Sequence, residues 1–102
     1  MTGHVCIPAA ALTEQHAWSL ATFGPGRLTR SITNHIRREL DEVEEAPGDV
    51  TEWVDITILA FEGALRAGHT PAQVIAAWHA KQSLNRSRTW PGWTADPLDL
   101  QQ

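Results

Sequence analysis

Tyrosine is absent from this 102-residue sequence, cysteine occurs once, and cationic side chains are outnumbered by acidic ones, eight to twelve. The missing tyrosine removes any phenolic hydroxyl from catalysis or ligand recognition. Cys6 alone forms no internal disulfide, and no histidine joins it at a zinc-ligand spacing, so a reducing compartment is the expectation. A net charge of -4 argues against a protein that holds duplex nucleic acid by its phosphates. No apolar run reaches the roughly eighteen residues of a membrane span, and the opening MTGHVCIPAAAL has neither a basic start nor a long apolar stretch. A cytoplasmic protein is expected, with no membrane and no nucleic-acid partner. Strand-like alternation is also missing, and the length fits one domain, 1–102.

Glycine and proline gather at FGPGR (Phe23 to Arg27), APGD (Ala46 to Asp49), AGHTP (Ala67 to Pro71) and WPGW (Trp90 to Trp93), and these punctuate four segments of helical length. The first, about Ala10 to Thr22, sets Leu12, His16, Ser19 and Phe23 on one face. The second, about Leu28 to Glu45, repeats Leu28, Ile32, Ile36, Leu40 and Val43 as an apolar stripe. The third starts at Asp49 as N-cap, with Glu52 placed to complete a capping box and Gly68 at its end, and is apolar most of the way round. Val50, Val54, Ile58, Phe61 and Leu65 form one of its stripes, and Ile56 and Leu59 another, so it is expected at the centre. The fourth opens with Thr70 and Pro71 and runs to about Arg88, and a tail begins near 89. Short connections predict an all-α, compact four-helix arrangement.

The acid of the chain is concentrated just before and within WVDITILAF, which raises the question of what those carboxylates face. At about 100° per residue, Glu39 falls inside the apolar stripe of the second helix and Glu42 at its edge, with His35 beside them. Asp41, Glu44 and Arg37 fall outside. Glu52 and Asp55, three residues apart, flank the direction of Leu59. Buried carboxylates need compensation. Either Arg or Lys partners form a buried ion network, or a divalent cation sits between the helices, and four carboxylates without a cysteine cluster suit Mg²⁺ or Mn²⁺ better than zinc. A di-iron bundle would want Glu-x-x-His pairs, which the sequence lacks.

Glu-x-x-Glu (Glu39, Glu42) followed by Glu-x-x-Asp (Glu52, Asp55), in the company of FGPG, HIRRELDEVEE, EWVDITILAFEGALRAGHTP and AKQSLNRSRTWPGW, resembles the MazG-like all-α nucleoside triphosphate pyrophosphohydrolases. The likeness covers about Glu14 to Trp93 and is strongest to the dATP/dGTP diphosphohydrolase group, which includes the MazZ-type enzymes of phages that replace adenine with 2-aminoadenine. The interval between the two motifs, Val43 to Thr51, is short, which makes the APGD turn tight and leaves Glu45 as a replacement for, or addition to, Glu42.

The resemblance implies Mg²⁺, with Mn²⁺ as a substitute, on Glu39, Glu42, Glu52 and Asp55. It implies hydrolysis of deoxypurine triphosphates, dGTP first and dATP second, to monophosphate and pyrophosphate, with Glu39 as catalytic carboxylate. It also implies a homodimer or homotetramer and, for a phage protein, residence in the host cytoplasm. On the fourth helix, Lys81, Asn85 and Arg88 continue the stripe of Val74 and Trp78 over about 10 Å and are assigned to the phosphates. A frayed helix end with cations placed against the dipole is the plainer account of the same residues. Phe23, before a glycine-rich loop, and Trp18 are the candidates for stacking on the base. The five tryptophans otherwise suit core or interface. A noncatalytic helical module that binds nucleotides or a protein is the competing reading.

Overall fold

The computed structural model describes residues 5–92 and holds four helices, α1 (Ala9–Phe23), α2 (Thr29–Glu45), α3 (Val50–Arg66) and α4 (Pro71–Ser87), with no strand among the described residues. Trp93 and the rest of the tail lie outside them. The all-α, four-helix expectation holds, with element ends within a residue or two.

Local chemistry explains the ends. The Asp49 carboxylate accepts from the Thr51 backbone N–H at 2.9 Å and from its hydroxyl at 2.7 Å, capping α3. The capping box expected with Glu52 does not form, because Glu52 turns toward α2 instead of back to Asp49. The reciprocal box occurs one helix later: the Gln73 N–H donates to the Thr70 hydroxyl and the Thr70 N–H to the Gln73 carboxamide, with Pro71 in the first turn. Gly68, at φ 106°, supplies the left-handed residue that ends α3.

α3 touches all three other helices and is central, as its all-round apolar character predicts. α2 packs on α3 alone, whereas α1 and α4 also pack on each other. The α1 face of Leu12, His16 and Ser19 is turned inward, with Leu12 and Ser19 buried.

The buried apolar core among the described residues is small, Leu12, Val43 and Leu65. Several stripe residues therefore depart from expectation. Val50 (70% exposed), Val54 and Ile58 lie open on α3, and Leu40 lies open on α2, since no helix among the described residues covers those faces. Trp18, Trp53, Trp78 and Trp90 are all more than half exposed, which rules them out of the chain's own core. No described helix is long and apolar enough to cross a membrane.

Candidate active site

α2 and α3 form an antiparallel hairpin in which Gly63 lies close to Ile32: a Cβ at Gly63 would sit 3.7 Å from Ile32 Cγ2. That register sets the second half of α2 opposite the first half of α3. One oxygen from each of Glu39, Glu42, Glu52 and Asp55 then falls within 4.8 Å of the other three. Glu44 and Glu45 are exposed and stay out of the cluster, whereas Glu42 lies in it.

Electrostatically the cluster is uncompensated. Among the described residues no Lys or Arg forms an ion pair with any of the four; the one neighbour of opposite tendency is His35, whose Nε2 lies 3.1 Å from Glu39 Oε1. The Glu39 carboxyl is held above its usual range, first by the close approach of the Glu42 carboxyl, then by burial and the negative charges of Glu42 and Asp55, against a weaker opposing pull from His35. The Glu52 carboxyl is also raised, first by burial and then by Glu42. Glu39 Oε2 and Glu52 Oε2 are buried with no hydrogen-bond partner. Four converging carboxylates, two of which each keep an orphaned oxygen, with no nitrogen or sulfur donor among the four, fit a hard divalent cation such as Mg²⁺ or Mn²⁺.

The buried ion network considered as the other means of compensation also exists, two turns further along α3. The Arg66 guanidinium, buried, donates from Nε to Glu62 Oε2 at 2.9 Å, from Nη1 to the Gly24 and Gly26 carbonyls at 2.9 Å each, and from Nη2 to the Ser19 carbonyl and hydroxyl at 3.1 and 2.9 Å. All five of its N–H groups are thus engaged. Glu62 Oε2 also meets His16 Nδ1 at 2.9 Å. Gly24 (φ 86°) and Gly26 (φ 100°) adopt the left-handed backbone that lets the loop turn both carbonyls onto one cation. Leu28, at φ 50°, enters α2 from the same region without being glycine. The network forms the wall of a cleft of about 300 Å³, lined among others by Ser19, Phe23, Ser31, His35 and Glu62.

Neither Glu62 nor Arg66 was given a role from sequence. The signal was present: Glu52, Asp55, Leu59, Glu62 and Arg66 recur at steps of three and four and share the face that α3 turns to α2. Phe23 lines the cleft, and Trp18 stands edge-on against it, ring centroids 5.7 Å apart. Trp18 itself is not part of the lining. Lys81 is exposed, Asn85 half-buried with its carbonyl accepting from Trp90 Nε1 at 2.6 Å, and Arg88 exposed just past the end of α4. None of these three adjoins the carboxylate cluster or the cleft within this chain.

A helical bundle that turns four carboxylates of one hairpin onto a common point, beside an aromatic-edged cleft, defines an all-α protein with an interhelical acidic centre. The dATP/dGTP pyrophosphohydrolase family model matches residues 12–101, and the chain belongs to that family. It is a nucleoside triphosphate pyrophosphohydrolase of the MazG-like kind, which decides for an enzyme over a noncatalytic module. No curated protein and no solved structure matches the chain.

Proposed function

We propose that this protein is a Mg²⁺-dependent deoxypurine triphosphate diphosphohydrolase that prefers dGTP and accepts dATP. The observation that carries the reading is the convergence of Glu39, Glu42, Glu52 and Asp55 with two orphaned, buried oxygens among them. These four residues would hold the cation, which when bound would offset their charge, polarise the phosphate and make water more acidic. Glu39, anchored through Oε1 by His35 and free at Oε2, orients a water toward the α-phosphorus and takes its proton. The new bond joins that water oxygen to the α-phosphorus; the bond to the bridging oxygen breaks, and pyrophosphate leaves.

Lys81, Asn85 and Arg88 serve the β and γ phosphates, a role that their place on α4 suits if α4 meets the acidic centre of a second copy. The exposed Val50, Val54, Ile58 and tryptophans favour such a homo-oligomer, because apolar area of this kind on a small chain marks an interface. Phe23 stacks on the base, with Trp18 buttressing it. In a phage, removal of dGTP and dATP would support synthesis of 2-aminoadenine DNA.

Incubating the purified protein with each deoxynucleoside triphosphate, with and without Mg²⁺, and separating the products chromatographically tests the reading. Release of dGMP and pyrophosphate only with the metal is expected. Stepwise release of orthophosphate, or turnover confined to pyrimidine nucleotides, would overturn it.

A further inference from the structure

Glu62 presents one oxygen that the ion network does not use. Its residue is 5% exposed and lines the cleft; Oε2 is shared by Arg66 and His16, whereas Oε1 is sealed from water and has no donor. Arg66 cannot turn to serve it, since each guanidinium N–H already has an acceptor. A buried acceptor in this state disfavours the empty cleft and rewards an occupant that donates. Seven residues of α3 separate Asp55 from Glu62, about 10 Å along the helix axis. A nucleotide whose phosphates lie at the acidic centre is long enough to carry its base to the cleft at Glu62.

We propose that Glu62 Oε1 reads the base, accepting from the N1–H and 2-amino edge of guanine, and so sets the preference for dGTP over dATP. This rests on the functional reading above. Adenine presents at the same edge an N1 lone pair and a bare C–H, which would leave Oε1 unpaired and set two acceptors face to face. A site built around a hydrogen bond rejects the analogue that lacks the donor more strongly than a merely apolar pocket rejects a change of size. Phe23 supplies the stacking face that both purines share and does not distinguish them. Discrimination falls to the carboxylate.

Glu62→Gln tests the assignment sharply. Arg66 Nε holds whichever side-chain oxygen it faces, so the carboxamide oxygen occupies the place of Oε2 and the NH₂ group that of Oε1. The reading group changes from acceptor to donor. Calorimetric binding of dGMP, dIMP, dAMP and the monophosphate of 2-aminoadenine deoxynucleoside to the Mg²⁺-loaded protein is the measurement, with dGTP hydrolysis assayed in parallel. The native protein should bind dGMP roughly tenfold or more tighter than dAMP, with the two analogues that keep one donor each in between. In Glu62→Gln the ratio of dGMP to dAMP affinity should collapse or invert; because it is a ratio within one sample, an inactive fraction does not affect it. An unchanged ratio in a variant that still hydrolyses dGTP overturns this inference alone. If the variant does not fold, the native series decides: equal affinity for dGMP and dAMP overturns the inference. Failure of every nucleotide to bind, with no hydrolysis, overturns the functional reading as well.

Discussion

Arg66 Nε donates to Glu62 Oε2 across one turn of α3 at 2.9 Å, and the same guanidinium holds the Gly24 and Gly26 carbonyls. A single cation thus ties α3 to the end of α1 and to the loop that leads into α2, fixing the wall of the cleft from inside.

Replacing it should be costly. Arg66→Met removes the partner of a buried carboxylate and frees three carbonyls, and should lower stability by about 3–5 kcal/mol by denaturant titration. Arg66→Lys should rescue little, because an ammonium cannot reproduce the planar five-donor fork. A loss under about 1 kcal/mol for the lysine variant would show that the fork geometry is not what matters.

Glu39→Gln and Asp55→Asn should abolish hydrolysis and weaken metal binding while helical content stays constant by circular dichroism. Each removes one negative charge from a crowded group, so the metal-free variants should melt no lower than the native protein, and the rise in Tm that Mg²⁺ gives the native protein should shrink. Near-normal turnover at saturating Mg²⁺ in either variant would remove these residues from the centre.

Stability of the metal-free protein should fall as pH rises through the mildly acidic range. Glu39 and Glu52 are raised above 4.5 in the fold, so between that value and their raised pKa the folded chain binds more protons than the unfolded one. Their contribution is present in full below the unfolded pKa and is lost as pH climbs through the folded one. Asp49 behaves oppositely: its hydrogen bonds with Thr51 lower its pKa, and the cap it makes weakens as pH falls below 3.8. Urea midpoints measured against pH in a chelator should show the first trend, and Glu52→Gln should flatten it; a slope unaffected by that change would contradict the assignment.

Lys81→Ala and Arg88→Ala should reduce kcat/KM by tenfold or more, since cations on the phosphates stabilise the charge that moves onto the leaving pyrophosphate. Calorimetry with Mg²⁺ alone should give the native affinity. Unchanged kinetics would return both residues to the simpler role of cations at a helix end.

Light scattering at micromolar concentration should give a mass at least twice that of the 11.3 kDa chain. Val54→Glu and Ile58→Glu, on the open face of α3, should drive it toward monomer. A native protein that already runs as a clean monomer would leave the open face without an explanation.

The helices and the acidic centre were readable because both rest on local periodicity: caps, glycines and the placing of Glu39 within an apolar stripe fix α2 and α3, and a short turn allows one pairing. Glu62 and Arg66 were harder to read, since their meaning depends on His16, Ser19 and the glycine loop, all far away in sequence. The Asp49–Glu52 box failed because a local rule lost to a tertiary one, Glu52 being drawn to the facing helix. Exposed Val50 and Val54 depart from expectation for a related reason: periodicity tells that a face is apolar, not whether its own chain covers it.

The four carboxylates all come from one helical hairpin, and that has a consequence for the order in which the molecule assembles. Their convergence needs only the APGD turn to close, whereas the contacts of Arg66 and Glu62 around the cleft span 40–47 residues. Short closures cost less chain entropy and form sooner than long ones. The charged end of the groove should therefore be in place while its other wall is still being gathered, and pulsed hydrogen exchange should protect the α2–α3 amides before those of the Gly24 loop.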